Sequence, residues 1–329
     1  MELTVTENKP DSLSFTLRSA ESAFANALRR IILSEVPTLA INEVTVRSNS
    51  SVTQDEMLVH RLGLVPIVST EAAEMNFPWA CPCKDGGRGC SRCTVEMELV
   101  VRCARDEPIR QITTRDISVI SGPLASKVFP ASCAIWLTSL GPGQDISLYC
   151  KVQKGIAKQH AKWMPASAVT MQYEANITLD GGALSKLSTE ERDNFIAVCP
   201  KSVFALNPTN KTVFVKNPEK CIFCNNCVTP ENLPSNMATV KPKKTSHDRF
   251  TYRFQIETVG SLSPQEVLRN ALEILRSKLS VVEKYLQGKE SLSYTQGYHL
   301  AGLPLVQGVH EKEGEAQTST FAETEVMSA

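Results

Sequence analysis

The chain has 329 residues, of which 42% are hydrophobic and 21% charged, so it can bury the cores of about two or three domains. Lysine plus arginine and aspartate plus glutamate number 35 each, which gives a formal net charge of zero at pH 7. Proteins that bind nucleic acid through its phosphates normally carry an excess of basic residues, so direct nucleic-acid binding is not expected to be the main function of this chain. The polar start MELTVTENKP lacks a secretion signal pattern, and no run approaches the roughly 18 apolar residues of a membrane span.

The first predicted elements are two short strands and an amphipathic helix. Residues 3–17 alternate weakly around the turn NKPDS, which indicates the two strands. The helix covers residues 21–36 and ends before Pro37, because the residue before a proline avoids helical angles. Its apolar stripe consists of Phe24, Ala27, Leu28, Ile31 and Ile32. The following segment, INEVTVRSNSS, is predicted to form a strand and a turn.

Further strands are predicted through the middle of the chain. TVEMELVV and AVTMQYEANITL alternate most clearly between residues 50 and 180, and loops rich in proline and glycine separate the strands. Residues 181–234 change in character, with closely spaced asparagine, proline and cysteine. RFTYRFQIETV at 249–259 again alternates as a strand. This mixture of helices and strands predicts an α+β fold.

Residues 264–287 are predicted to form a long amphipathic helix. Ser263 and Glu266 form a capping box, and Pro264 suits the first helical position. A heptad stripe follows: Leu268, Leu272, Leu275, Leu279, Val282 and Leu286. The stripe fits a helix packed on its own sheet or one shared with a partner chain, and the pattern leaves both open. Residues 291–329 lose the apolar pattern and are predicted to be a disordered tail.

The first cysteine cluster lies in the loop CPCKDGGRGCSRC. Its members are Cys81, Cys83, Cys90 and Cys93. Four thiolates make a closed tetrahedral site that suits one structural zinc ion. The glycines at 86, 87 and 89 would let the loop turn back so that the second pair meets the first. Four free thiols are the alternative, but this density favours a loop that folds around its metal.

The second cysteine cluster, CIFCNNC, has equal two-residue gaps. Its members are Cys221, Cys224 and Cys227. Bacterial-type ferredoxins use this spacing for a [4Fe–4S] cluster and take the fourth ligand from a distant Cys-Pro. Cys199-Pro200 stands 22 residues before Cys221 and would supply that ligand. Because no second triplet precedes Cys199, the segment resembles half a ferredoxin with one cluster; a zinc site and an empty vestigial site stay as alternatives.

The remaining sequence features give no indication of a catalytic site. Cys103, Cys133 and Cys150 lie among Val, Ile, Leu and Tyr, so we expect them to be buried apolar residues. The chain shows no aspartate-rich magnesium motif, no phosphate-binding loop and no Ser/His/Asp order. His60 in HRLGL has no accompanying nucleophile and is interpreted as a structural hydrogen-bonding residue.

Three stretches carry a resemblance to a known family. They are FANALRRIILSEVPTLAINEVTVRSNSSVTQDEMLVHRLGLVPI at 24–67, KGIAKQHAKWMP at 154–165 and FQIETVGSLSPQEVL at 254–268. The first closely resembles the signature of the α-like subunits of multisubunit DNA-directed RNA polymerases, and the others match further family segments in the right order. The family spans bacterial α, archaeal D, the third-largest subunit of eukaryotic polymerase II and the subunit shared by polymerases I and III.

Within this family the chain combines features of two branches. Trp163 and the four-cysteine loop at 81–93 resemble the polymerase II member, since the polymerase I/III member has phenylalanine at the Trp163 position. The ferredoxin-like segment instead resembles archaeal D subunits, because typical animal and fungal polymerase II members lack the complete cysteine set. The source lineage therefore stays open.

The resemblance implies a domain plan. A discontinuous dimerisation domain would be built from 1–47 and 235–290, and a β-rich insert domain with the zinc loop would cover 48–180. The ferredoxin-like unit would cover 181–234. The two amphipathic helices would pack against the same elements of a second, smaller α-like subunit. The implied interface residues are Phe24, Asn26, Leu28, Arg29, Arg30, Ile31 and Ile32 on the first helix and Leu268, Leu272, Leu275, Leu279 and Val282 on the second.

The implied function is assembly of RNA polymerase without catalysis by this chain. Further partners would be the second-largest polymerase subunit, expected at Arg29 or Arg30, and small zinc-binding polymerase subunits, with little direct DNA contact and no membrane. The location would be the nucleus, or the cytoplasm for an archaeal protein. Two other classes compete: an iron–sulfur electron carrier, disfavoured by the missing second triplet, and a zinc-dependent nucleic-acid-binding module, disfavoured by zero net charge.

Overall fold

The computed structural model describes residues 1–83, 89–122, 128–130, 134–231, 233–246 and 248–287. Its helices are α1 (Ser22–Ser34), α2 (Asp55–Gly63), α3 (Gly181–Ser185), α4 (Thr189–Ala197) and α5 (Pro264–Leu286). Its strands are β1 (Glu2–Asn8), β2 (Ser12–Glu21), β3 (Thr38–Asn49), β4 (Thr94–Arg102), β5 (Arg110–Thr113), β6 (Ile117–Ser121), β7 (Trp136–Leu140), β8 (Asp145–Gly155), β9 (Ala166–Tyr173), β10 (Ala175–Leu179), β11 (Phe204–Leu206), β12 (Val213–Val215), β13 (Ala238–Pro242), β14 (Lys244–Ser246) and β15 (Arg249–Thr258). The predicted mixture of helices and sheets is confirmed; the predicted tail at 291–329 and Cys133 lie outside the described residues.

An antiparallel sheet joins the two ends of the chain. β1 pairs with β2, β2 with β15, and the other edge of β15 pairs with β9 and β14. Phe15 of β2 and Phe254 of β15 stack at 4.9 Å with nearly parallel rings. α1 and α5 pack on the sheet face that carries these two rings. Their buried side chains recur every three or four residues: Ala25, Leu28, Ile31, Ile32, Val267, Leu268 and Ala271. Each fully buried large side chain contributes about 1.5–3 kcal/mol, so this core holds the two helices firmly on the sheet.

The long helix begins as its sequence predicts. The Ser263 hydroxyl accepts from the Glu266 backbone, and the Glu266 carboxylate accepts from the Ser263 backbone at 2.9 Å, which confirms the capping box. Pro264 occupies the first turn. The helix ends at Leu286, and among the described residues none of the helices combines the length and apolarity needed to cross a bilayer.

A second antiparallel sheet, in the order β3-β8-β4-β6, supports the first cysteine loop. The alternation in TVEMELVV is confirmed, because Val95, Met97 and Leu99 are buried in its core. Cys103 and Cys150 are buried there as well, as predicted. α2 packs on this core through leucines at positions 58 and 62, and β5 and β7 form a small two-stranded sheet beside it.

A third core forms around the second cysteine cluster. The pairs β10–β13 and β11–β12 surround Phe195, Phe204 and Met237 together with α3 and α4. β9 ends at Tyr173 and β10 begins at Ala175, so one run of chain passes from the first sheet into this third core. The predicted domain limits stay predictions; the strand pairing ties the third core directly to the sheet that holds α1 and α5.

Candidate metal centres and partner surface

The first cysteine loop brings its four sulfur atoms together. Cys81 and Cys83 precede the undescribed residues 84–88, and Cys90 and Cys93 lie on the turn that leads into β4. The Sγ atoms are separated by 3.6 Å (Cys81–Cys90), 3.9 Å (Cys83–Cys93) and 3.8 Å (Cys90–Cys93). All four ligand atoms lie within 4.8 Å of one another. Sulfur atoms at about 2.3 Å from a tetrahedral zinc would stand about 3.8 Å apart, so these residues fit one zinc ion.

The backbone of this loop is shaped for close approach. Gly89 has φ of 84°, and a Cβ at this position would lie 2.1 Å from Thr94 Oγ1. Only glycine combines that backbone conformation with that space. The Arg92 backbone N–H donates to Cys90 and lowers the pKa of that thiol to about 7, whereas burial raises the pKa of Cys93. A thiolate is the form that binds metal, so the local geometry prepares Cys90 as a ligand.

Residues before the loop tie it to the second sheet. Asn76 donates its backbone N–H to the Arg92 carbonyl at 2.9 Å. The Lys154 ammonium donates to the Met75 carbonyl at 2.9 Å and lies 4.7 Å from the centre of the Phe77 ring. Burial lowers the pKa of Lys154 to about 8. The entrance to the cysteine loop is therefore fixed by Lys154 of β8.

The second cysteine cluster and Cys199 line one cavity. Its walls include Cys199, Cys221, Cys224 and Cys227 together with Val203 and Phe204. Among the described residues, no three of these cysteines converge within the 4.8 Å span found at the first loop. The four thiols thus line one cavity without meeting at the tight spacing of the first loop.

Unusual backbone angles curl the chain around this cavity. Phe223 has φ of 56° and Asn225 has φ of 61°, and both lie between the cysteines of the triplet. Asparagine tolerates the left-handed region, but for a bulky residue such as phenylalanine it is strained. Burial raises the pKa of Cys221 and raises that of Cys227 to about 11. Anionic sulfur at these positions therefore needs a compensating cation or metal.

The cavity wall is bonded to the first sheet. Gln172 of β9 donates to the Cys221 carbonyl, and Arg253 of β15 donates to the Glu219 carbonyl at 2.7 Å. The rings of Tyr173 and Phe223 meet edge to face at 6.4 Å. These contacts connect the cysteine cluster to the sheet that carries α1 and α5.

The predicted interface residues divide by burial. Leu28, Ile31, Ile32 and Leu268 lie in the core of their own chain. Phe24 and Leu275 are half-buried against that core. Asn26 and Arg30 are exposed, and Arg29 donates to the Asn26 carboxamide at 3.0 Å. Leu272, Leu279 and Val282 are 38%, 62% and 50% exposed. Their contacts with another subunit stay a prediction, which the exposed members fit best.

Three helices, α2, α3 and α4, and one exposed apolar surface were not predicted from the sequence. α2 carries acidic residues in its first turn and His60 and Arg61 in its last, a favourable charge order that could have revealed it. His60 is exposed, and the Arg61 guanidinium instead stacks over Trp136 at 4.5 Å and donates to its carbonyl. β1, on the edge of the first sheet, exposes two apolar side chains, Leu3 and Val5.

The comparisons with known proteins decide the family. The RNA polymerase Rpb3/Rpb11 dimerisation domain matches residues 14–279. This chain belongs to the α-like subunits of DNA-directed RNA polymerase. These are non-catalytic subunits of the enzyme. The match includes α1, most of α5 and every strand of the first sheet except β1, so the two-ended sheet described above is the scaffold of this domain.

Relatives of this family align over most of the chain. DNA-directed RNA polymerase II subunit rpb3 of Dictyostelium discoideum is 32% identical over 291 residues, covering 86% of this chain and 93% of that protein. DNA-directed RNA polymerases II, IV and V subunit 3 of Arabidopsis thaliana is 33% identical over 292 residues, covering 85% and 90%. DNA-directed RNA polymerase subunit Rpo3 of Methanosphaera stadtmanae is 28% identical over 290 residues, covering 88% and 100%.

Proposed function

We propose that this α-like subunit is an assembly scaffold of RNA polymerase II that forms a heterodimer with a smaller α-like subunit. The observation that carries the proposal is an apolar stripe left exposed on α5 within a matched dimerisation domain. Leu272, Leu279 and Val282 continue the buried stripe that begins at Leu268. A soluble protein normally covers such a stripe, and a similar helix of a second α-like subunit would do so.

The exposed stripe on α5 is too small to hold a heterodimer by itself. Each large apolar side chain that becomes fully buried contributes about 1.5–3 kcal/mol, while association costs several kcal/mol or more. Three side chains alone would barely offset that cost. The exposed Leu3 and Val5 on β1 add apolar area at the edge of the same sheet. A partner that covers both the helix and the sheet edge would therefore bind more tightly than one that covers the helix alone.

The direct test places charge on the stripe. The double variant L279D/V282D should lose binding to the smaller α-like subunit by at least about a hundredfold, because two buried carboxylates would lack partners. V52D is the matched control, since Val52 is 89% exposed and lies outside α5. Binding is measured with both purified subunits. Equal binding by the stripe variant and the control would contradict the proposed heterodimer.

The assignment to polymerase II rests on Trp163 and on the relatives. Trp163 is buried, and its indole N–H donates to the Gln153 carbonyl at 3.1 Å. The resemblance links tryptophan here to the polymerase II member and phenylalanine to the polymerase I/III member. The relative named for polymerase II is 32% identical and the one named for polymerases II, IV and V is 33% identical, against 28% for the archaeal Rpo3. A nuclear location follows for a eukaryotic protein, with the archaeal-type subunit in the cytoplasm as the alternative.

A second face of α1 would contact the larger subunits. Arg30 is exposed, and Arg29 is half-buried and held by Asn26. Arginine's rigid fork suits carboxylates and backbone carbonyls at interfaces. We assign these two arginines to the second-largest polymerase subunit, while small zinc-binding polymerase subunits would bind elsewhere on the chain.

The first cysteine loop would hold one structural zinc ion. Its four ligands are Cys81, Cys83, Cys90 and Cys93, and their sulfur spacing supports a tetrahedral ion. The bound ion would cross-link a loop whose side chains form no core of their own. Because all four ligand positions are filled by the protein, the site leaves no open position for catalysis.

The second cavity would hold one [4Fe–4S] cluster. Four cysteines that line one cavity without converging as tightly as those of the first loop, together with the ferredoxin-type spacing, support a multi-iron group over a single zinc ion. Its proposed role is to brace the segment between Cys199 and Cys227 in a ferredoxin-like unit. The hydrogen bonds from Gln172 and Arg253 to this segment would hold it in a fixed position against the first sheet. Electron transfer as the main function is the competing reading, and a co-purifying reductase in place of polymerase subunits would favour it.

A further inference from the structure

A buried carboxylate joins three separate elements at the end of α1. Glu35 is the C-cap residue of α1, and its side chain is 8% exposed. Its Oε1 accepts from the Lys158 ammonium at 2.7 Å, and its Oε2 pairs with the Lys278 ammonium. Lys158 lies in the loop after β8, and Lys278 lies in α5. One carboxylate therefore ties α1, this loop and α5 together.

The position of Glu35 is locally unfavourable. The carboxyl end of a helix carries partial negative charge, so a carboxylate there is repelled, and burial adds a desolvation cost. Burial raises the pKa of Glu35, but hydrogen bonds and charges from Lys158 and Lys278 outweigh it and hold that pKa below its usual range. Buried ion pairs of this kind contribute little net stability, but they can fix how the elements that carry them lie relative to one another.

Lys278 stands where the packing of α5 changes. It lies two helical turns after Ala271, on the face that packs against the first sheet. Before it, Val267 and Ala271 are fully buried. After it, Leu279 and Leu286 are 62% and 78% exposed. The pair with Glu35 therefore sits between the fully buried part of α5 and the part that carries Leu279 and Val282, while Leu272 of the same stripe precedes it.

We propose that Glu35 is a positioning residue for the partner interface. Through Lys278 it fixes the direction in which the second half of α5 leaves the sheet, and so presents the exposed stripe to the smaller α-like subunit. The Lys158 backbone N–H donates to the Ser34 carbonyl at 3.0 Å, which fixes the α1 end of this clamp. The inference rests on the heterodimer proposed above and adds the residues that orient it.

The test uses the full chain and the purified smaller α-like subunit. E35Q keeps the size of the side chain and removes its charge, and K278M removes the facing charge. Each should weaken the heterodimer by about tenfold, and the double variant E35Q/K278M should weaken it no further, because both changes break one interaction. K278R should restore binding to within about threefold of the wild-type chain, since it keeps the charge. R276M, which removes an exposed cation from the same helix, is the matched control.

A second measurement separates positioning from stability. Hydrogen exchange of residues 279–286 in the isolated chain should speed up in E35Q, while thermal unfolding shows the folded fraction unchanged at the binding temperature. Binding of E35Q within about twofold of wild type would overturn the inference, as would an affinity loss explained by unfolding alone. If the wild-type chain formed no complex, the proposed heterodimer would fail together with this inference; wild-type binding with unaffected E35Q would overturn the inference alone.

Discussion

At the scale of single residues, the Trp163 ring leaves no space for a side chain at position 155, so glycine is required there. The Trp163 ring lies so close to Gly155 that a Cβ there would be 2.3 Å from the ring. The Thr38 hydroxyl donates to the Trp163 carbonyl at 2.7 Å, which holds the ring over β8. The motif KGIAKQHAKWMP is thus a packing junction between β3, β8 and the turn that follows.

We predict that G155A destabilises the chain by about 1–3 kcal/mol, because the added methyl group must displace a buried indole. Denaturant unfolding measures the change. G181A is the matched control, since a Cβ at Gly181 would meet nothing within 4 Å and the residue begins a helix. A G155A chain as stable as wild type would show that Trp163 moves away without cost.

Lys154 predicts a specific pH dependence. The folded chain holds the pKa of this ammonium at about 8, below its ordinary value of 10.5. Between these values the unfolded chain binds a proton that the folded chain does not, so the free energy of unfolding rises with pH across this window. The wild-type chain should therefore gain on the order of 1–2 kcal/mol relative to K154M between about pH 7.5 and about pH 9.5.

Denaturant titrations of both chains at the two pH values check this prediction. K241M is the control, since Lys241 is exposed. If the free energy of unfolding changed equally with pH in the wild-type chain and in K154M, the buried location of the Lys154 ammonium would be contradicted.

At the scale of elements, the outcome of the sequence reasoning depended on how strong the local pattern was. α5 was predicted almost to the residue, because Ser263, Pro264 and Glu266 act within one turn. α2 was missed because nine residues with two buried leucines leave little periodicity to recognise. The convergence of the four cysteines of the first loop was predictable from spacing alone, whereas the strained Phe223 angle and the Gln172 contact depend on tertiary packing that no local pattern encodes.

The two cysteine clusters should lose their metals independently. We predict that C224S loses iron and sulfide but keeps one zinc ion, while C90S loses zinc and keeps iron. The reason is that the second set belongs to the third core, the first set does not, and the two sets share no cysteine. Anaerobic purification with iron, sulfide and zinc measured together is the required assay. C150A, at a buried cysteine outside both sets, should keep all three.

Two outcomes would change the account of these centres. Zinc in place of iron in the wild-type second cavity would contradict the [4Fe–4S] proposal. Normal abundance and normal heterodimer formation by C224S would contradict the proposed brace, because Gln172 and Arg253 would then transmit nothing from the cavity to the sheet.

At the scale of the whole molecule, the first sheet is built from both chain ends, so the proposed partner surface on α1 and α5 forms only after these ends have paired. β2 and β15 are far apart in sequence but adjacent in the sheet, so neither α1 nor α5 is placed until both ends have paired. The sequence resemblance predicted this arrangement, and composition alone could not, because it carries no information on which distant strands pair. The buried positions of Leu28, Ile31 and Ile32 likewise depend on that pairing.

Charge reversal on α1 should separate the two proposed interfaces. The variant R29E/R30E should lose co-purification of the second-largest polymerase subunit and keep the smaller α-like subunit, because neither arginine belongs to the core that α1 shares with α5. Quantitative mass spectrometry of the tagged chain from native extract measures both partners at once. Unchanged recovery of the large subunit would contradict the assignment of these arginines.

The central claim is that this α-like subunit works as a scaffold inside RNA polymerase. The most direct measurement is purification of the tagged full chain from native extract, followed by identification of every stoichiometric partner. The account predicts the smaller α-like subunit and the two largest subunits of polymerase II. Recovery of the chain with a reductase, with nucleic acid alone, or with the subunits of another polymerase would contradict it.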